Sequence, residues 1–150
     1  MAVDGAGTVV AVGPRAEIKP AFASLPEERA EGALLPGLIN AHTHLELSVL
    51  AGRLPGREGL VPWAMQVGRE AAAFSTEQRF DAARRTALAA GAAGTAAVGD
   101  VGNTLLAVPA LADVGLAGVF FHELLGSREA ATGDALADAA REHREFCQGF

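Results

Sequence analysis

Two histidines separated by one residue, His42 and His44, are the side chains in this sequence best suited to chemistry. They end a short apolar run, residues 38–43, which the turn signal Pro36-Gly37 introduces. This run is too short for a buried helix and long enough for a strand. Because alternate side chains of a strand share a face, both imidazoles are expected on the same side. Neutral imidazole is the commonest protein metal ligand, so the pair could hold one divalent metal ion.

The spacing alone leaves an alternative, in which the histidines are ordinary polar residues at a strand end, satisfied by hydrogen bonds. The surrounding residues favour the metal. The run PGLINAHTHLELS, residues 36–48, resembles the first-strand signature of the amidohydrolase superfamily, in which Pro-Gly leads into a barrel strand ending in His-x-His. The resemblance implies that His42 and His44 are ligands of one divalent metal ion, with zinc as the first choice and iron as the alternative.

Two further residues are candidates for contact with a substrate. The segment 44–48 resembles a branch of this superfamily that contains aminodeoxyfutalosine deaminases and chlorohydrolase-like proteins, and there the glutamate matching Glu46 would face the substrate. The alternative for Glu46 is a carboxylate on a surface loop. Trp63 could line the pocket, although its place in a helical stripe of apolar residues favours ordinary packing. The acid–base residues of such a site are expected downstream of this chain.

Three other polar residues stand at predicted strand ends. Asp100 is interpreted as a strand-end carboxylate bonded to the 102–103 turn. The run 121–126 resembles the third-strand segment of the same branch, and it contains His122 and Glu123. One of these two must point inward and the other outward, and the sequence does not decide which.

The order of predicted elements indicates an α/β fold. Strands are predicted near 38–43, 95–101 and 119–123, and helical patterns separate them, which is typical of parallel strands with helical crossovers. The helices are predicted to begin with Pro62 as a first helical residue, with a Ser75–Gln78 capping box and with Asn103 as an N-cap. A last helix is predicted over 134–146.

The resemblance implies a (β/α)₈ barrel of the TIM type, preceded by part of a small β-sandwich. A complete barrel needs about 250 residues, and this chain has 150. We therefore expect residues 34–150 to be an incomplete barrel with its first three βα units. Residues 1–33, interpreted as β structure and loop with a strand near 8–13, would be the N-terminal part of the composite sandwich.

The resemblance also implies the activity, a metal-dependent hydrolase of carbon–nitrogen bonds other than peptide bonds. An aminohydrolase acting on a purine-like or other heterocyclic amine is the first expectation; chlorohydrolase, amidase and imidazolonepropionase-like chemistry remain open. The chain by itself is expected to be an inactive fragment, because two histidines are fewer ligands than a catalytic site needs. A hypothesis of a different class is a non-catalytic α/β module for interaction or structure.

Composition favours a small-molecule substrate over nucleic-acid or membrane partners. The formal net charge is −6 and no basic cluster stands out, which disfavours nucleic-acid and anionic-membrane partners. Cys147 is the single cysteine, so an internal disulfide is excluded and a cytoplasmic location is the default expectation. No apolar run reaches the ~18 residues of a membrane span. A homo-oligomer of the full-length protein remains open.

Overall fold

The structure, a computed structural model, describes residues 1–54 and 59–123 together with residues 138 and 141. The chain divides into two units, Met1–Leu35 and Pro36–Phe150. The helix predicted over 134–146 lies almost entirely outside the described residues, as does Cys147.

The first unit contains a two-stranded antiparallel sheet, formed by β1 (Ala2–Val3) and β2 (Val9–Ala11), and a short helix, α1 (Arg15–Ala21). The sequence analysis predicted loop where α1 lies, and that part of the prediction is wrong. The helix contains Pro20, a residue that usually stops a helix, but only one residue from its end. Membership of a β-sandwich stays a prediction.

The second unit is built on a parallel sheet of three strands, β3 (Leu38–Thr43), β4 (Thr95–Gly102) and β5 (Ala117–His122). They lie side by side in that order, and both pairs are parallel. The predicted set of three adjacent parallel strands is therefore confirmed, with β5 beginning and ending slightly earlier than predicted. Three strands agree with part of a βα fold and do not by themselves establish a barrel.

A 3₁₀ helix (Leu45–Leu50) follows β3, and the helices α2 (Leu60–Ala71) and α3 (Thr76–Ala92) complete the connection to β4. The predicted capping box opens α3: the Ser75 hydroxyl accepts a hydrogen bond from the Gln78 N–H, and the Gln78 side chain accepts one from the Ser75 N–H. No helix among the described residues is long and apolar enough to cross a membrane.

Two predicted helix starts are wrong. Helix α2 begins two residues before Pro62, because any of the first-turn positions tolerates a missing N–H. Helix α4 (Ala107–Val114) begins four residues after Asn103, which lies in the turn before it. Gly115 ends α4 as predicted, in the left-handed conformation that glycine adopts easily.

Helices cover one face of the sheet. Val98 of β4 is buried there, and Phe120 of β5 packs against the same cluster, which is otherwise made mostly of alanines from α3 and α4. Small side chains let these helices approach the sheet closely. The alternate residues of β5 lie on the opposite face, where Val119 and Phe121 are 58% and 52% exposed. We call this opposite side the open face.

The pairing of β3 with β4 is irregular near the end of β3. Asn40 pairs with Val98, but Thr43 pairs with Asp100, so three steps along β3 match two along β4. The β4 residue facing this irregularity is Gly99. A Cβ atom there would lie 2.6 Å from the Ala41 carbonyl oxygen, which is closer than packed atoms tolerate.

This close approach predicts a strong effect of one methyl group. Gly99→Ala should force the two strands apart and lower the free energy of unfolding by about 1–3 kcal/mol, the usual cost of overpacking. Gly91→Ala is the matched control, because a Cβ at this α3 position meets nothing within 4 Å. It should leave stability unchanged or raise it by up to about 1 kcal/mol, since alanine favours helix. Equal urea midpoints for the two variants would contradict the close approach of β3 and β4.

Candidate metal centre

The two histidines meet at the carboxyl end of β3. Their Nε2 atoms are 3.0 Å apart, and the ring centroids are 4.9 Å apart at an interplanar angle of 67°. The Thr43 hydroxyl, between the two histidines in the sequence, reaches Asp100 on the helix-covered side. His42 is exposed and His44 is half-buried. The 3.0 Å contact between the two Nε2 atoms agrees with the prediction that both rings share a side.

The separation of the two nitrogens suits a shared metal ion. Two ligands of a tetrahedral zinc, each at ~2.0–2.1 Å, lie about 3.3 Å from one another. The observed distance of 3.0 Å differs from this by a few tenths of an ångström. Imidazole is also a donor that zinc and iron both accept. The pair therefore fits the donor chemistry of one edge of a metal site, and its 3.0 Å spacing also fits a hydrogen bond between the two rings.

The described residues do not complete that site. Among them, no group of three His, Cys, Asp or Glu side chains converges on one point. Catalytic zinc takes three protein ligands and a water. His42 and His44 thus supply two positions, and their assignment as metal ligands stays a prediction.

Asp100 lies next to the pair, fully buried at the end of β4. Its Oδ1 accepts hydrogen bonds from the Thr43 hydroxyl, at 2.6 Å, and from the Leu45 N–H, at 2.8 Å. Burial raises the pKa of this carboxyl, and the two hydrogen bonds oppose the rise in part. The interpretation that Asp100 bonds to the 102–103 turn is wrong, because its partners are at the end of β3 and at the start of the 3₁₀ helix that follows.

That turn is held instead by Glu46, which lies in the 3₁₀ helix and is only 3% exposed. Its two carboxylate oxygens accept hydrogen bonds from the N–H groups of Asn103 and Thr104, each at 2.9 Å, and from the Thr104 hydroxyl. The Arg79 guanidinium is 3.7 Å away. The alternative of a surface-loop carboxylate is therefore wrong. Contact between Glu46 and a substrate stays a prediction, and a substrate would compete with these donors.

The remaining candidates belong to other elements. Trp63 is in the first turn of α2 and 37% exposed, and its contact with a substrate stays a prediction. His122 alternates with Phe121, which puts it on the helix-covered side, and its Nε2 is 3.3 Å from the Asn103 carbonyl oxygen. Glu123 follows β5 and donates its N–H to the Gly102 carbonyl.

Sequence reasoning missed three residues that organise this region: Thr43, Thr104 and Arg79. Each contacts a buried carboxylate through a side chain that no motif singles out. The signal for Thr43 was present, since it stands between the two histidines at a strand end. Its partner could be found only from the register of β3 against β4.

Comparison with known proteins gives one local similarity. A segment of 40 residues is 58% identical to imidazolonepropionase of Paracidovorax citrulli, and it covers 26% of this chain and 10% of that protein. The match thus spans about a tenth of the relative's length. No family model matches the chain, and no solved structure matches it. The similarity supports the amidohydrolase superfamily and a hydrolase function in general terms.

The hydrogen bonds that the buried Glu46 carboxylate accepts predict that its substitution lowers stability. Glu46→Gln replaces one acceptor oxygen by an N–H₂ group, which cannot accept from Asn103 or Thr104. The free energy of unfolding should fall by about 1.5–3 kcal/mol, the range for a hydrogen bond to a charged group. The control is Glu31→Gln, at an exposed carboxylate, which should change stability by less than about 0.5 kcal/mol. Urea unfolding measures both variants. An unchanged midpoint for Glu46→Gln would refute the stabilising role of the hydrogen bonds from Asn103 and Thr104.

Proposed function

We propose that this chain carries the first two ligands of a metal-dependent hydrolase that acts on carbon–nitrogen bonds other than peptide bonds. The observation that carries the proposal is the 3.0 Å contact between the Nε2 atoms of His42 and His44 at the end of a parallel strand. Functional residues gather at the carboxyl ends of strands in parallel α/β folds. The local similarity to imidazolonepropionase supports the same class.

In this proposal the histidines hold one divalent ion, zinc or else iron, through neutral rings. Such an ion, when bound, lowers the pKa of a bound water to near neutrality and so supplies hydroxide at neutral pH. The histidines contribute by presenting two neighbouring nitrogens at the end of β3. The remaining ligands and the acid–base groups are proposed to lie outside the described residues. Glu46 and Trp63 are kept as candidates for substrate contact.

Deamination of a purine-like or other heterocyclic amine is the first candidate reaction, because the segment 44–48 resembles a deaminase-containing branch. Imidazolonepropionase chemistry is the second candidate, and the 40-residue similarity favours it. In a longer polypeptide with the remaining ligands, ammonia release from aminated heterocycles would identify a deaminase. Hydrolysis of imidazolone propionate without ammonia release from those amines would identify the second reaction.

A non-catalytic interaction module is the candidate from a different class. The exposed Val119 and Phe121 on the open face favour it, because exposed apolar side chains on one sheet face suit a binding surface. Metal binding separates the two classes, since an interaction module does not need the histidine pair to bind zinc.

We expect the 150-residue chain to bind zinc through the pair and to release no ammonia from heterocyclic amines. His42→Ala and His44→Ala should each weaken zinc binding at least about tenfold, because loss of a ligand costs more than loss of an outer-shell partner, which costs about 10–100-fold. His122→Ala is the matched control, since this histidine is on β5 and near the Asn103 carbonyl, and it should retain wild-type affinity. Calorimetric titration measures all three variants. Wild-type affinity in the two ligand variants would overturn the proposed site.

A further inference from the structure

We propose that Asp100 is a positioning residue for the histidine pair, because a single carboxylate oxygen holds the chain on both sides of His44. The donors to Oδ1 are the Thr43 hydroxyl, at 2.6 Å, and the Leu45 N–H, at 2.8 Å. These two residues flank His44 directly in the sequence. Asp100 itself is assigned no bond to metal or substrate. The inference rests on the proposed function in one respect, that the pair binds a metal ion.

Regular pairing of β3 with β4 does not set the direction of the two histidine rings, because the register of these strands is irregular between Asn40 and Thr43. The N–H of His42 accordingly donates to the Asn40 side chain, at 3.3 Å. Irregularities of this kind turn side chains away from the directions that a regular strand imposes, and they are common beside active sites. The direction of the two rings therefore depends on side-chain hydrogen bonds near the strand end.

The environment of Asp100 suits this task. The residue is completely buried within the hydrogen-bonded interior strand β4, so its backbone is fixed. Its other oxygen, Oδ2, is buried and has no hydrogen-bond partner in the described part of the chain. The single accepting oxygen, Oδ1, therefore joins Asp100 to both sequence neighbours of His44.

Thr43 offers the sharpest test, because its hydroxyl can be removed with little change in shape. Thr43→Val deletes one of the two donors, and Thr43→Ser restores it. Thr104→Val is the matched control, since it also deletes a hydroxyl that donates to a buried carboxylate, that of Glu46. The measurements are the zinc dissociation constant of the whole chain and the proton NOE between the rings of His42 and His44.

We expect Thr43→Val to weaken zinc binding about tenfold, as loss of an outer-shell partner commonly does, and to weaken the ring-to-ring NOE. Thr43→Ser and Thr104→Val should both stay within about twofold of the wild type, although Thr104→Val lowers the unfolding midpoint. Asp100→Asn keeps an acceptor oxygen for both donors, so the NOE should persist in that variant.

An unchanged NOE and zinc affinity in Thr43→Val would overturn the inference. So would equal losses of affinity in Thr43→Val and Thr104→Val, because general destabilisation would then explain both. Absence of zinc binding by the wild-type chain would instead refute the proposed function. The NOE would still decide the positioning role in that case, since it requires no metal: its loss in Thr43→Val with recovery in Thr43→Ser supports the role, and its persistence refutes it.

Discussion

The arrangement of the second unit depends on a carboxylate in a place that water does not reach. Asp100 is fully buried, and an ionised carboxylate in such a place costs several kcal/mol unless hydrogen bonds compensate. Compensation here is incomplete, because two donors reach one oxygen and none in the described residues reaches the other. The raised pKa of this carboxyl reflects the same imbalance. A polar group that is this poorly satisfied usually persists for a reason other than stability.

The two buried carboxylates fix the segment that follows β3. Glu46 and Asp100 lie on the helix-covered side, where they join this segment to β4 and to the turn that follows it. His42 and His44 stand where β3 leads into the same segment, and their Nε2 atoms are 3.0 Å apart. The carboxylates therefore hold the backbone close to the two rings, and the rings contact each other.

Local signals were sufficient for much of the fold. The 38–43 strand and the Ser75–Gln78 capping box were predicted from residues that are neighbours in the sequence, and both are present as predicted. The start of α4 was missed because Asn103, a good N-cap residue, uses its N–H to bind Glu46 and its side chain to bind Glu123. Tertiary contacts thus override a local preference at this position.

The sequence pointed to the two proposed ligands of the candidate site but not to the contacts around them. His42 and His44 stand out by spacing, whereas the partner of Asp100 depends on an irregular register that no periodicity encodes. The contacts of Glu46 could not be predicted from its neighbours in the sequence, since its donors lie 57 and 58 residues further along the chain. A sequence pattern identifies the residue types in such a site more readily than the contacts among them.

The length of these connections has a consequence for the order of assembly. The hydrogen bond from Leu45 to Asp100 joins residues 55 positions apart, and it forms only when β4 has paired with β3. Closing a loop of this length before its contacts form is slow, because the entropy is lost first. A nascent chain that ends before β4 contains both histidines but lacks the hydrogen bonds from Thr43 and Leu45 to Asp100. If Asp100 has the proposed positioning role, alignment of the two rings follows the pairing of β4, a strand that carries neither of them.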